Sequence, residues 1–207
     1  MRNIAPTKTN LLKTKEELDL AELGHELLDQ KRNILVIELL TLVDQAVDYQ
    51  SRVEKALSQA YQALADTVLE MGKRNVLTLT GAVNMHTDIS IKQRRVMGVT
   101  LPVVDTEFSE KPPYFSPLGT SFRVDDTIQE FKRALQIMGK LAELKVSIMR
   151  LASEVRKTIR KVNALEKIAI PDLEETVEYI KNRLEENERE MFVLMKRVKA
   201  RLEKKRE

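Results

Sequence analysis

The stretch VNALEKIAIPDLEETVEYIKNRLEENEREMFVLMKRVK, residues 162–199, decides the fold class. Apolar residues recur at Leu173, Val177, Ile180, Leu184, Met191, Leu194 and Val198, and Asn187 completes the series. The steps alternate four and three, which keeps one line of a helix turned toward a partner helix. Just before this line stands Pro171, the only proline after Pro117. A proline inside a helix costs about 3 kcal/mol, whereas at the first helical position it costs little. Asp172, Glu174 and Glu175 follow it, placing negative charge where a helix N-terminus favours it. Pro171 therefore reads as a structural break, where one helical segment ends and another begins in a new register.

Working backward, a second line runs Leu141, Leu144, Ile148, Leu151, Val155, Thr158, Val162, Leu165 and Ala169. Its helix is expected to begin near Asp126 or Thr127, since Thr127 and Glu130 have capping-box spacing. At the other end of the chain, no proline falls between Pro6 and Pro102. Thr7 and Thr9 are candidate caps, and Gly72, Asn75 and Gly81 signal an end in the seventies. A helix of that span rises roughly 90 Å. Its expected seam is Leu20, Leu23, Leu27, Gln30, Ile34 and Ile37, then, after a phase shift, Leu39, Val43, Ala46, Gln50, Val53, Leu57, Ala60 and Leu64. Residues 34–43 are apolar nearly all round. Either a stutter turns them onto the chain's own second helix, or they touch another molecule.

Between the helices the composition changes. Asp88-Ile89-Ser90-Ile91-Lys92 alternates, and so does Val99-Thr100-Leu101-Pro102-Val103, which predicts a β-hairpin with an irregular turn around residues 94–98. Pro102 cannot donate to a ladder, so its strand is expected at an edge. Lys111-Pro112-Pro113 and Ser116-Pro117-Leu118-Gly119 read as an extended loop. The organisation is thus a mainly α chain. A long antiparallel two-helix coiled coil (residues 1–74 and 125–207, with a break near Pro171) carries a β-hairpin and loop insert at residues 75–124. Folding back near Met71 and Thr127 sets Pro171 opposite about Leu27, with Gly24 a second break at that level. The C-terminal helix then overruns the N-terminus.

The 207 residues include 35 basic and 32 acidic ones, for a net charge of +3, and aromatics make up 4%. This balance suits long solvated helices with a narrow seam and argues against a general nucleic-acid or membrane surface. Cysteine is absent, which excludes disulfides and thiolate chemistry. Residues 1–6 lack the apolar run of a signal peptide, and residues 34–43 are too few to span a bilayer. His25 and His86 have no second ligand set at metal spacing, and the acidic residues Glu185, Glu186, Glu188 and Glu190 sit among Arg183 and Arg189 as a solvated, ion-paired face. No phosphate loop or catalytic set is present, so no cofactor, metal or catalytic residue is assigned. Lys196, Arg197, Lys199, Arg201, Lys204, Lys205 and Arg206 form a basic tail. Val198 and Leu202 carry the helical pattern through it, which favours a folded helix end over a nucleic-acid arm.

Three blocks resemble one known family. The first is Pro6-Thr7-Lys8 with Leu18, Ala21, Gly24-His25, Leu27-Leu28 and Lys31-Arg32. The second is Val96-Met97-Gly98 with Pro102. The third is Val162-Asn163-Ala164-Leu165-Glu166, Ile170-Pro171, Leu173-Glu174, Thr176, Tyr179-Ile180, Leu184-Glu185-Glu186 and Glu188-Arg189-Glu190. In this order they resemble the D subunits of the V/A-type rotary ATPases, the central-stalk rotor shafts of those complexes. The acidic Glu17, Asp19 and Glu22, and Met191 just beyond Glu190, depart from the expected pattern.

The resemblance implies a non-catalytic shaft that transmits torque between a nucleotide-handling ring and a membrane ion-translocating rotor. Its implied partners are the A and B subunits of the ring, which would enclose both termini, the F subunit of the central stalk, and the funnel-shaped subunit (C/d) above the membrane rotor ring. The implied location is cytoplasmic, peripheral to the membrane through the complex. The partner-contact residues it puts forward are Lys31, Arg32, Ile34, Leu35, Val96, Met97, Gly98, Glu185 and Arg189. The other reading is a prefoldin-like coiled-coil chaperone or a tethering protein, which also joins helices through hairpins and would use the apolar surface at residues 34–43.

Overall fold

The structure, a computed structural model, describes residues 4–83, 86–109, 115–116 and 118–203. The expected loop residues Lys111, Pro112, Pro113 and Pro117 and the tail residues Lys204, Lys205 and Arg206 lie outside the described residues. The elements in order are α1 (Lys8–Met71), α2 (Lys73–Thr80), β1 (His86–Val96), β2 (Val99–Ser109), α3 (Arg123–Ala164), a π-turn (Leu165–Ala169) and α4 (Ile170–Glu203). The chain is therefore mainly α with one β-hairpin. Two compact units are formed, one by Met1–Asn33 with Arg156–Glu207 and the other by Ile34–Val155.

In the Ile34–Val155 unit, α1 and α3 run antiparallel: Tyr61 meets Phe131 edge to face at 5.6 Å, and Thr67 meets Thr127 at 2.9 Å between hydroxyls. The core joins Leu35 and Leu42 of α1, Leu144, Leu151 and Val155 of α3, and Leu101 of β2. Further along α1 and α3 the contact line shortens to Val53, Ala56, Ala60 and Ala134, all buried. Two long helices with no further layer can bury only such a line. The helix ends are locked together. Arg123 reaches Glu70 at 2.8 Å and Asp66 at 3.3 Å, and the Ser121 hydroxyl donates to Glu70 at 2.9 Å. Gly72, at φ 80° and ψ 145°, ends α1 and donates its N–H to the Val68 carbonyl at 2.9 Å, in an extended positive-φ conformation that glycine adopts without strain. α3 begins at Arg123, before the expected cap. Thr127 lies inside the helix, its hydroxyl within bonding distance of the Arg123 carbonyl (2.8 Å).

The seam of α1 agrees with the expected one at Leu39, Ala46, Val53 and Ala60 and differs elsewhere. In the Met1–Asn33 segment the half-buried or buried positions include Leu11, Thr14, Leu18, Ala21, His25, Leu28 and Arg32; in the other unit they include Leu35, Leu39, Leu42, Ala46, Tyr49, Val53, Ala56 and Ala60. Threes and fours make up both lines, and the expected phase shift does not occur. Leu20, Leu23 and Leu27, expected in the seam, are 70%, 54% and 57% exposed, and Ile34 and Ile37 are exposed as well. In the Met1–Asn33 segment hydrophobicity picked the all-leucine line Leu20, Leu23 and Leu27, whereas the buried side includes the smaller Thr14 and Ala21, which permit closer approach.

In the other unit, Thr14 of α1 and Thr158, Val162, Leu173, Thr176 and Ile180 of α3 and α4 are buried. Leu173 lies eight residues beyond Leu165, which in a regular α-helix would carry it about 80° past two full turns. The π-turn takes up the surplus. The N–H of Ile170 bonds the Leu165 carbonyl, five residues back instead of four. The wider turn also makes room for the ring of Pro171, which has no N–H to bond the carbonyl four residues before it. Helical structure runs without a gap from α3 through the π-turn into α4, with Pro171 as the second residue of α4. Thr176, not the expected Val177, then fills the seam, its hydroxyl bonded to the Asp172 carbonyl at 2.6 Å. Gly24 lies within the run of α1, and a Cβ added there meets nothing within 4 Å.

Two outcomes follow from this geometry. Deleting the exposed Ile168 together with Pro171→Ala removes the surplus residue and the ring, so thermal denaturation should stay within about 5 °C of the parent. Deleting Ser153 from regular α3 throws every later seam residue off line and should lower Tm by more than about 10 °C. Gly24→Ala should raise stability by about 0.5–1 kcal/mol through helix propensity alone, as read by urea denaturation.

Candidate partner-contact surfaces

Among the described residues no group of three or more His, Asp or Glu side chains is placed to hold a metal ion. What the chain presents are exposed apolar lines on its helices and a β-hairpin. β1 and β2 pair antiparallel from His86↔Ser109 to Val96↔Val99, closed by a two-residue turn. Met97 (φ 47°) and Gly98 (φ 83°) both lie in the left-handed region, the pattern of a type I′ turn. The expected irregular turn is thus a tight one. Glycine suits the second position, whereas Met97 is strained at the first, since its Cβ crowds the backbone at positive φ. In the sequence this turn is signalled by Gly98 beside two β-branched valines, and obscured by the absence of an Asn or Asp at position 97.

The hairpin leans on the helices of its own unit. Arg150 donates to the Thr100 carbonyl at 2.8 Å, and the buried Glu143 carboxylate accepts the Val104 N–H at 2.8 Å while binding Lys140 at 2.7 Å. Arg94 pairs with Glu38 at 3.2 Å. At Gly139 α3 comes close to β2, and a Cβ there would sit 2.6 Å from the Thr106 hydroxyl. On the exposed surface the Lys92 ammonium bonds Asp105 at 2.8 Å. Each partner favours the charged form of the other, raising the lysine pKa and lowering that of the carboxyl.

The candidate contact residues fall in different places. Leu35 is wholly buried in the core, so it is a packing residue and offers nothing to a partner. Val96 packs against that same core, leaving Met97 and Gly98 as the exposed tip. Ile34 is exposed. Arg32 bonds Asp29 at 2.6 Å and is half-buried, as is Lys31. Glu185 and Arg189 are exposed on α4 and 3.8 Å apart. Together with Phe192 and Val193 they line one open groove of α4. Glu185 also lines a second groove, with Lys8, Leu11, Leu12 and Leu184.

Another surface lies at the end of α4, where the sequence assigns Met191, Leu194 and Val198 to the seam. Lys8 reaches Glu188 at 2.9 Å, at the first residue of α1. Beyond it Met191, Phe192, Leu194, Met195, Val198 and Leu202 are all exposed, with Lys196 set over the Phe192 ring at 5.0 Å. Met191, Leu194 and Val198 continue the heptad line past the end of their partner helix. The expected overrun of the C-terminal helix is the sequence signal for this surface. Leu20, Leu23 and Leu27 form a second exposed apolar line in the same unit, and Ile37, Leu40 and Val47 are exposed in the other. Apolar lines of this kind mark sites where other proteins bind.

The class so defined is a mainly helical protein whose long helices display exposed apolar lines. Its family is shown by comparison with known proteins: the chain belongs to the family of ATP synthase D subunits, whose model matches residues 10–200. It is 38% identical to the D subunit of the A-type ATP synthase of Thermococcus sibiricus over 205 residues, covering 98% of this chain and 96% of the relative. The corresponding D subunit of Pyrococcus furiosus is 36% identical over 203 residues, 97% of this chain and 95% of its own length. That of Methanopyrus kandleri is 34% identical over 208 residues, covering 100% and 90%. The chaperone reading is left without support. No helix among the described residues is long and apolar enough to cross a membrane.

The close approach at Gly139 has a measurable consequence. Gly139→Ala should be about 1–2 kcal/mol more damaging in the native background than in Thr106→Ala, where the obstructing hydroxyl is gone. A double-mutant cycle in urea reads the difference.

Proposed function

We propose that this chain is the central-stalk shaft of an A-type ATP synthase, a non-catalytic component that carries torque between the nucleotide-handling ring and the membrane ion-translocating rotor. The observation that carries the reading is the apolar end of α4, residues 191–202, which stands exposed beyond Glu188 in a member of the ATP synthase D-type family. A helix end that stays apolar after its own partner helix has stopped requires a cover, and the A and B subunits of the ring supply it. Leu20, Leu23 and Leu27 belong to the same ring-facing end. The F subunit and the funnel-shaped subunit then bind the Ile34–Val155 unit, where Ile37, Leu40, Val47 and the hairpin tip are exposed. Nucleotide binds to the ring subunits and none to this chain. The complex holds the chain at the cytoplasmic face of the membrane.

Shaft and bearing respond differently to the same charge. Ile180 is fully buried, so Ile180→Asp should cost at least about 3 kcal/mol and melt the upper coiled coil. Leu194 is exposed, so Leu194→Asp should leave the free chain's Tm within about 2 °C. In the reconstituted complex Leu194→Asp should cut ATP-driven ion pumping at least about tenfold while ATP hydrolysis persists. Normal pumping by Leu194→Asp, with the chain incorporated, rules out a ring contact at the apolar end of α4.

A further inference from the structure

The two edges of the hairpin are treated differently. With Val96↔Val99 flanking a two-residue turn, the ladder uses even-numbered residues of β1 and odd-numbered residues of β2. On β2 two outward groups are bonded to α3, the Thr100 carbonyl by Arg150 and the Val104 N–H by Glu143, and between them Pro102 has no N–H to offer. On β1 the outward N–H and C=O groups belong to Thr87, Ile89, Ile91, Gln93 and Arg95, and residues 87–95 are all exposed. No backbone hydrogen bond leaves this edge among the described residues. β1 is 11 residues long and holds no proline or glycine, and Ile89 and Ile91 are 61% and 67% exposed. Proteins normally blunt such an edge, because it is a template for another strand.

The residues along β1 complement their own reversed order. We infer that a second copy of this chain pairs with this edge, β1 against β1 in antiparallel order, about a two-fold axis through Ser90. In that register Ile89 of each copy lies opposite Ile91 of the other, and Asp88 opposite Lys92. Thr87 lies opposite Gln93, and the outward groups of residues 87–93 form about eight hydrogen bonds. Lys92 keeps its bond to Asp105 and has further donors for a second carboxylate. Moving the axis to Ile91 sets each Ile89 against Gln93, and moving it to Ile89 separates Asp88 from Lys92. Only the axis at Ser90 satisfies both the apolar and the charged pairs. The pairing is a form of the chain outside its complex, which covers an edge otherwise open to unselective strand addition.

The chain has no cysteine, so single-cysteine variants report cleanly. At the axis, Ser90→Cys places two thiols on a non-hydrogen-bonded pair with Cα atoms about 4.5 Å apart, within disulfide range. In Ile91→Cys the equivalent atoms are offset by two residues, beyond about 7 Å. Mild oxidation of the full chain should therefore yield at least about tenfold more covalent dimer from Ser90→Cys than from Ile91→Cys. Equal yields, or more from Ile91→Cys, overturn the register. Charge gives an independent reading. Asp88→Lys and Lys92→Glu should each weaken self-association about tenfold in sedimentation, and mixing the two variants should restore it, since every facing pair is then opposite in sign. A mixture that stays monomeric, with both variants showing the parent circular dichroism, overturns the pairing. So does a native chain that sediments as a monomer at about 100 µM.

Discussion

Two helices can approach closely only where the side chains between them are short, and this constraint shapes the molecule. Ala21, Ala46, Ala56 and Ala60 of α1 and Ala134, Ser147 and Thr158 of α3 stand on the contact line or are buried near it. Each contributes less apolar area than a leucine, so the seam gains stability through its length. Many of the bulky leucines and isoleucines are left on the outer faces. An ordinary two-stranded coiled coil does the reverse, with its largest residues inside. The arrangement suits the proposed shaft, whose outer faces would meet other subunits.

Short polar residues in a seam carry a desolvation cost, and here the helices meet it internally. Thr14, Thr67 and Thr176 each bond the carbonyl four residues earlier in their own helix. A buried hydroxyl so satisfied adds no unpaired group and demands no fixed partner across the seam. Thr67 also meets Thr127 across the seam, where α1 ends and α3 begins, beside the Arg123 clamp on Asp66 and Glu70. These polar bonds between helices gather at the closed end of the Ile34–Val155 unit, with the apolar core of Leu35, Leu101 and Leu151 further along it.

The long helices, the central hairpin and the family were legible in the residues, because periodicity and the three motif blocks are local features. The edge position of β2 followed from Pro102 alone. What misled was the choice among apolar lines. Leu20, Leu23 and Leu27 outrank Leu18, Ala21 and Leu28 in hydrophobicity, and a heptad count cannot tell a seam facing its own chain from one facing another molecule. The same ambiguity placed Met191, Leu194 and Val198 in the seam. The π-turn was visible only as a step of four after a step of four near Pro171. Its hydrogen bond from Ile170 to Leu165 depends on how the helix absorbs the surplus residue, which spacing does not specify. Gly139 gave no signal, since its role arises from Thr106 of a strand more than thirty residues away.

In the proposed shaft the outer apolar lines are covered by other subunits. Hydroxyl-radical footprinting of the free chain and of the assembled ATP synthase tests it most directly, read at Leu20, Leu23, Leu27, Phe192, Leu194 and Met195. All six should label strongly in the free chain and be protected at least about fivefold in the complex. The buried Leu35 and Ile180 should label weakly in both. Equal labelling of the six residues in the free and assembled states would contradict it.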